Sequence, residues 1–243
     1  MLFEWTDEKV EWYIRASRAA GFHRLLADWI RPALEKTDHV VDLGCGPGLI
    51  DLEISPFVKD ITAIDVNSIV LNRFEREIEK SGCSNIRTML GDVKENPNAL
   101  LPDSFDVALF CFFGGPGNAF EAAYKKASRL AIFITHGIDT SKKPSKISGG
   151  LHRIFSDDVD AYLNENGMEY TKIDESIDFY QPFISIEEAE RFFNVYAKEG
   201  EEGSKERRAQ IERQLALVEK TDDPIYPWYF ANLKDAAIYF IKK

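Results

Sequence analysis

Apolar residues return along this chain in two rhythms. Val10, Tyr13, Ile14 and Ser17 fall three or four positions apart, which predicts a helix. Thr6 stands where a hydroxyl caps that helix, and Asp7 and Glu8 follow where acids oppose the helix dipole. The pattern breaks near Gly21, resumes through Phe22, Leu25, Leu26, Trp29 and Ile30, and stops at Pro32. The rhythm then changes to short apolar runs at residues 40–43, 60–65, 85–90, 105–110, 130–135, 170–180 and 235–241, each read as a strand. Helical spacing returns between them. Leu49, Ile50, Leu52 and Ile54 form one such stretch. Leu71, Phe74 and Ile78 form another, capped by Asn67 or Ser68 and ending near Gly82, and residues 119–126 a third. Ser156 is placed to cap a helix carrying Val159, Tyr162 and Leu163 that ends at Asn166 and Gly167. Arg73, Glu75, Arg76, Glu77, Glu79 and Lys80 read as a solvated helix face.

Strand and helix in alternation predict a doubly wound, three-layer α/β sandwich. Three parts follow: an N-terminal helical lid over residues 1–36, an α/β domain over 37–183 and 221–243, and a helical insertion over 184–220. That insertion holds two helical stretches separated by Glu- and Gly-rich punctuation at 199–203, and it concentrates aromatic rings.

Composition narrows the function. The chain has 243 residues and a net charge of −11, which disfavours tight nucleic-acid binding because that relies on clustered Lys and Arg. No apolar run reaches the ~18 residues of a membrane helix, and no basic leader opens the chain, so a cytoplasmic protein without membrane contact is expected. Cys45, Cys83 and Cys111 are odd in number and lack C-x-x-C spacing, which predicts reduced thiols and no metal.

The candidate chemistry centres on Val40-Val41-Asp42-Leu43-Gly44-Cys45-Gly46-Pro47-Gly48. A buried strand runs into a turn too tight for side chains, and a helix follows, which is a unit that binds nucleotide-like cofactors. A nicotinamide site wants G-x-G-x-x-G, but Leu49 stands where the third glycine belongs. Asp42, inside the strand, suits an ammonium better than a pyrophosphate. Asp65 ends the second strand 21 positions after Gly44, where a carboxylate can accept hydrogen bonds from ribose hydroxyls. Gly91-Asp92-Val93 follows the third strand.

Together these segments resemble the class I S-adenosylmethionine-dependent methyltransferases over residues 22–136, with the C-terminal third similar only in layout. The resemblance implies a mostly parallel seven-stranded sheet with its last strand antiparallel, and S-adenosyl-L-methionine as cofactor. It implies that Gly44, Cys45, Gly46 and Gly48 wrap the methionine part, with Asp42 near its amino group. Asp65 and Val66 would hold the ribose, Asp92 and Val93 the adenine, and Phe110 would stand at the end of the fourth strand beside the site. The chain departs from the family's Asn-Pro-Pro-aromatic signature, reading Cys111-Phe112-Phe113-Gly114 instead. That removes the main support for a planar base or glutamine amide as acceptor.

The expected reaction is therefore methyl transfer to a small molecule. A protein methyltransferase and a non-catalytic cofactor-binding protein are the alternatives. His136, just past the fifth strand, is the candidate catalytic base. His39 lies at the wrong end of the sheet, His23 reads as structural, and Cys111 as a small buried apolar residue. Trp12 and Tyr13 from the lid, with Phe192, Phe193 and Tyr196 from the insertion, are candidate substrate-binding residues. Packing is the competing role for each. Lys142, Lys143 and Lys146 lie in a polar, Gly/Pro-interrupted loop and read as solvated, with attraction of an anionic substrate as the alternative.

Overall fold

Short apolar strands flanked by amphipathic helices bury both faces only when helices cover the sheet on each side. The computed structural model, which describes residues 4–138, 154–197 and 204–243, has that arrangement. Helices α1 (Asp7–Ala20) and α2 (Phe22–Ile30) come first, followed by β1 (His39–Leu43), α3 (Leu49–Ile54), β2 (Asp60–Asp65), α4 (Ser68–Ser81) and β3 (Ile86–Leu90). The chain continues through α5 (Pro97–Leu100), β4 (Phe105–Cys111), α6 (Asn118–Lys126), β5 (Ala127–His136), α7 (Ser156–Glu165) and β6 (Tyr170–Asp178). It closes with β7 (Gln181–Phe183), α8 (Ile186–Tyr196), α9 (Lys205–Leu215), β8 (Val218–Lys220), β9 (Trp228–Phe230) and β10 (Leu233–Lys242).

Seven strands form the main sheet in the order β3-β2-β1-β4-β5-β10-β6. β1 to β5 run parallel, and β10 inserts antiparallel between β5 and β6. The expected seven-stranded layout with an antiparallel last strand is thus present. One face of the sheet, through Val40, Ile61, Ile132 and Ile238, packs on Leu26, Ile50 and Phe74 of α2, α3 and α4. The other, through Val41, Phe110, Phe133 and Tyr239, packs on Phe120, Val159 and Leu163 of α6 and α7.

Local signals set most helix ends. The Thr6 hydroxyl accepts the Lys9 N–H, Asn67 Oδ1 accepts those of Ile69 and Val70, and the Ser185 hydroxyl accepts that of Glu188. Ser156 does not cap α7. It is the first helical residue, and Asp158 secures the turn by accepting the Phe155 N–H at 3.0 Å. Glu77 is not on a solvated face either. It is buried where α1 crosses α4, and its carboxylate holds Arg18, Arg73 and Lys80. Burial raises its pKa, but those cations outweigh it and bring the group down to about 2.

A second, three-stranded sheet in the order β7-β9-β8 carries α8 and α9, so the appended unit reaches beyond residues 184–220 at both ends. Its own core gathers Phe183, Ala189, Phe193 and Ile211. Glu188 ties this unit to α1. Its buried carboxylate accepts Trp12 Nε1–H at 3.1 Å, Arg15 Nη1 at 2.8 Å and the Ile184 N–H at 2.7 Å. Among the described residues no helix is long and apolar enough to cross a membrane, and no cluster of side chains could hold a metal ion.

Candidate functional site

The turn after β1 lies against the end of β2. Gly44 and Cys45 both donate their N–H groups to the Ile64 carbonyl, and Gly46 donates to Asp65 Oδ2 at 2.9 Å. Two glycines are required by space as well as by backbone. A Cβ at Gly48, φ +65°, would meet the Phe74 ring at 2.1 Å, and one at Gly44, φ +73°, would meet Phe113 at 2.0 Å. Nothing lies within 4 Å of the Cβ position at Gly46, so the crest of the turn is open.

Asp65 Oδ1 accepts the Asn67 N–H at 2.8 Å, so each carboxylate oxygen has one backbone donor and keeps a second lone pair. Burial lifts its pKa above the ordinary carboxylate value against the backbone donors of Asn67, Gly46 and Val66. Beside it, Asp92 Oδ1 accepts the Lys94 N–H at 2.8 Å. Gly44, Asp65, Val66, Asp92 and Val93 line one narrow cleft of about 20 Å³, so the structure brings these expected residues together. Phe113 closes the same cleft and was not foreseen. Its ring rests on Gly44 with Lys94 Nζ 4.8 Å from its centroid, and the preceding Phe112 is held at φ +52°. A glycine that must accept a ring from an adjacent strand end leaves no local sequence signal.

Behind the turn lies a second unforeseen feature. Asp42 faces the same side of β1 as Val40, and Asp51 projects from α3 into that layer; both are 0% exposed. Among the described residues no N–H or O–H donor reaches any of their four carboxyl oxygens. Their remaining partner is each other, and two carboxyls can bond only when one carries a proton. Burial is the main force lifting Asp42 to about 7, and it lifts Asp51 well above the ordinary range. Cys45 is buried beside them, and its thiol is pushed up by burial and then by Asp42.

The wall formed by α1, α2 and the ends of β4, β5 and β10 is aromatic. Lys234 Nζ stands 3.5 Å from the Phe179 ring centroid and 5.2 Å, 5.6 Å and 5.9 Å from those of Phe22, Tyr13 and Phe112. Behind Tyr13 runs a buried relay: His23 Nε2 lies 3.2 Å from the Tyr13 hydroxyl and Nδ1 2.6 Å from the Ser17 hydroxyl. Burial first, then Lys234, lowers His23 to about 3, so the ring is neutral and structural. His136 ends β5 with its ring 5.1 Å from Phe112, contiguous with this wall. Cys111 ends β4 half-buried in the same layer, and burial holds its thiol protonated.

Other expected residues lie elsewhere. Phe110 sits away from the cleft, 1% exposed and packed between Phe120 and Phe133 in the core, because its strand position points to the α6–α7 face. Phe193 is also 1% exposed, packed on Phe183 and Phe230 as an anchor of the appended unit. Trp12 is buried with its indole N–H on Glu188, and Phe192 and Tyr196 pack against its ring at 5.2 Å and 6.3 Å. Burial raises Tyr196 to about 12. Lys142, Lys143 and Lys146, and the punctuation at 199–203, lie outside the described residues.

A parallel sheet with a glycine cradle after β1 and an acid ending β2 is the frame of a nucleotide-type cofactor site, and the antiparallel β10 between β5 and β6 sets this sheet apart from a wholly parallel one. Comparison with known proteins agrees. Residues 40–131 match the family model described as "Methyltransferase domain". The chain is 24% identical over 209 residues to a tRNA (guanine-N(7)-)-methyltransferase of Colletotrichum orbiculare, covering 81% of this chain and 68% of that protein. It is 32% identical over 69 residues to the 23S rRNA (uracil(1939)-C(5))-methyltransferase RlmD of Mannheimia succiniciproducens, covering 28% of this chain and 15% of that one. It is 30% identical over 91 residues to a probable cobalt-precorrin-6B C(15)-methyltransferase of Methanobrevibacter smithii, covering 37% and 46%. The match thus spans less than half of two of these three relatives. Among solved structures, a SAM-dependent methyltransferase of Aquifex aeolicus superposes with TM-score 0.55 at 14% identity over 98% of this chain and 99% of its own. A putative methyltransferase of Bacillus halodurans does so with TM-score 0.55 at 17% identity over 90% and 98%. Over residues 40–131 the chain is thus similar to the methyltransferase domain, and it shares its fold with a solved SAM-dependent methyltransferase.

Proposed function

We propose that this protein transfers a methyl group from S-adenosylmethionine to a small molecule. The observation that carries the cofactor assignment is the pair of fully buried, donorless carboxyls of Asp42 and Asp51 beside an open glycine crest. Such groups suit a ligand that brings a positive charge and hydrogen-bond donors, as an amino-acid ammonium does, and not a pyrophosphate. Gly44, Cys45, Gly46 and Gly48 would hold the amino-acid part. Asp65 and Val66 would take the ribose through the carboxylate lone pairs left over from Gly46 and Asn67, and Asp92 and Val93 the adenine. The cofactor supplies, when bound, a methyl group made electrophilic by its sulfonium.

This chain's part in the reaction is to position the acceptor and exclude water, and positioning alone is worth about 7–11 kcal/mol in favourable cases. The aromatic cluster of Tyr13, Phe22, Phe112 and Phe179 around Lys234 is the proposed acceptor side. Tyr13 and Tyr196 point to an acceptor side closed by α1 and α8. An imidazole nitrogen of His136 is the group proposed to take a proton from the acceptor. The charge of −11 and the precorrin-named relative favour a small acceptor, while the relatives named for tRNA and rRNA make nucleic acid the reading to test against it.

Thermal melting tests the cofactor. S-adenosylhomocysteine at a hundred times its dissociation constant should stabilise the fold by about 2.7 kcal/mol, and NAD should not. Stabilisation by NAD alone would overturn the reading. Transfer of labelled methyl to tRNA or rRNA, and not to small molecules, would overturn the acceptor class.

A further inference from the structure

We propose that Asp51 is the second half of a proton-sharing carboxyl pair with Asp42 that receives the cofactor's ammonium group, so that binding expels one proton from the protein. The inference rests on the cofactor reading above and adds to it a residue and a linkage.

Asp42 lies two positions before Gly44 and Asp51 three positions after Gly48, so the pair flanks the glycine turn from both sides. With four buried oxygens and no outside donor, the pair would be intolerable as two charges. One shared proton leaves a net charge of −1. The groups facing it from neighbouring elements do not relieve that charge. The end of β2 contributes Asp65, the turn contributes the Cys45 thiol, and the end of β4 the Cys111 thiol. Lys234 of β10 acts on Cys111 and on His23, and lies against the Phe179 ring. Tyr13 of α1 lies next to Cys111 and is kept protonated by burial.

An ammonium at the turn changes the balance. The shared proton leaves to solvent, both carboxylates ionise, and –2 plus the incoming +1 restores the same net charge of −1. No bond other than the O–H bond breaks. The buried site thus exchanges one cation for another without gaining charge, which is the condition under which a buried carboxyl pair can ionise. A ligand bearing no ammonium cannot drive the exchange.

Calorimetric titration of the intact protein with S-adenosylhomocysteine, in buffers of differing ionisation heat, reads the proton directly. About one proton should be released per ligand at pH 6, and affinity should rise about tenfold per pH unit from pH 5 to pH 6.5. 5′-Methylthioadenosine, which keeps the nucleoside and lacks the ammonium, should bind without releasing a proton. Asp51→Asn should still bind S-adenosylhomocysteine, with proton release abolished and affinity flat across that range. Asp51→Ser serves the same purpose if the asparagine variant does not melt cooperatively. Tight, pH-independent binding by the wild type without proton release overturns the proposal and leaves the cofactor reading standing. Proton release that survives in both Asp51 variants overturns it too. Failure of both ligands to bind at any pH overturns the cofactor reading itself.

Discussion

Removing the Phe113 ring should tighten cofactor binding. The ring lies directly on Gly44, 2.0 Å from where a Cβ would stand, at the proposed seat of the cofactor. It must therefore swing away before a ligand can reach the turn. Two contributions hold it. Half-burial of an aromatic ring removes on the order of 100 Å² from water, worth about 2.5 kcal/mol. The Lys94 ammonium 4.8 Å from its centroid adds about 0.5–1 kcal/mol. Against them, Phe112 at φ +52° stores about 1–2 kcal/mol that opening can release. The difference, about 1–2.5 kcal/mol, is a closed-state preference of roughly five- to seventyfold, by which apparent affinity is reduced. Phe113→Ala should improve the dissociation constant of S-adenosylhomocysteine by about tenfold, measured by calorimetry, while Lys94→Ala should improve it about threefold. An unchanged or weaker affinity in Phe113→Ala would show that the ring is part of the binding wall and refute the reasoning.

Three further outcomes are expected. Asp65→Ala should cost about 1.5–3 kcal/mol of cofactor binding, because a charged acceptor is lost; calorimetry showing unchanged affinity in a folded variant removes Asp65 from the site. Glu188→Ala should cost about 3–5 kcal/mol of stability, since it strands the part-buried Arg15 guanidinium and the buried Trp12 indole N–H; urea unfolding within 1 kcal/mol of wild type would contradict that. The Asp42 carboxyl binds its proton more tightly folded than unfolded, so its share of stability is full below about pH 4 and is lost as pH rises towards 7. Asp42→Asn should accordingly melt above wild type at pH 8 but not at pH 4, by the order of 2–4 kcal/mol, and an equal shift at both values would rule this out.

What could be read beforehand was local. Thr6, Asn67 and Ser185 cap their helices because a cap bonds within three residues of itself. The glycines and Asp65 were legible because strand, turn and strand end keep a fixed register. Helical spacing marks the face of Glu77 as polar, while Arg18 of α1, 59 positions upstream in the chain, comes down upon it. Asp51 looks like any acid in a helix; its burial follows from how α3 packs on β1. Strands β7, β8 and β9 have three residues each, too few for any periodicity to show. Phe110, Phe193 and Trp12 are aromatic wherever they are placed, and composition does not distinguish a wall from a core.

The bond between Trp12 and Glu188 spans 176 positions of chain. At ~5–20 residues per second, a ribosome delivers the carboxylate roughly 9–35 seconds after the indole it must satisfy. Throughout that interval the aromatic side of α1 has no floor, and the sheet beneath lacks β10, the strand that joins β5 to β6. A nascent chain stopped before residue 184 should therefore leave the α1 amides open to hydrogen exchange, however well β1 to β5 have paired. A helix made early is thus secured late, only once the last quarter of the chain has begun to emerge.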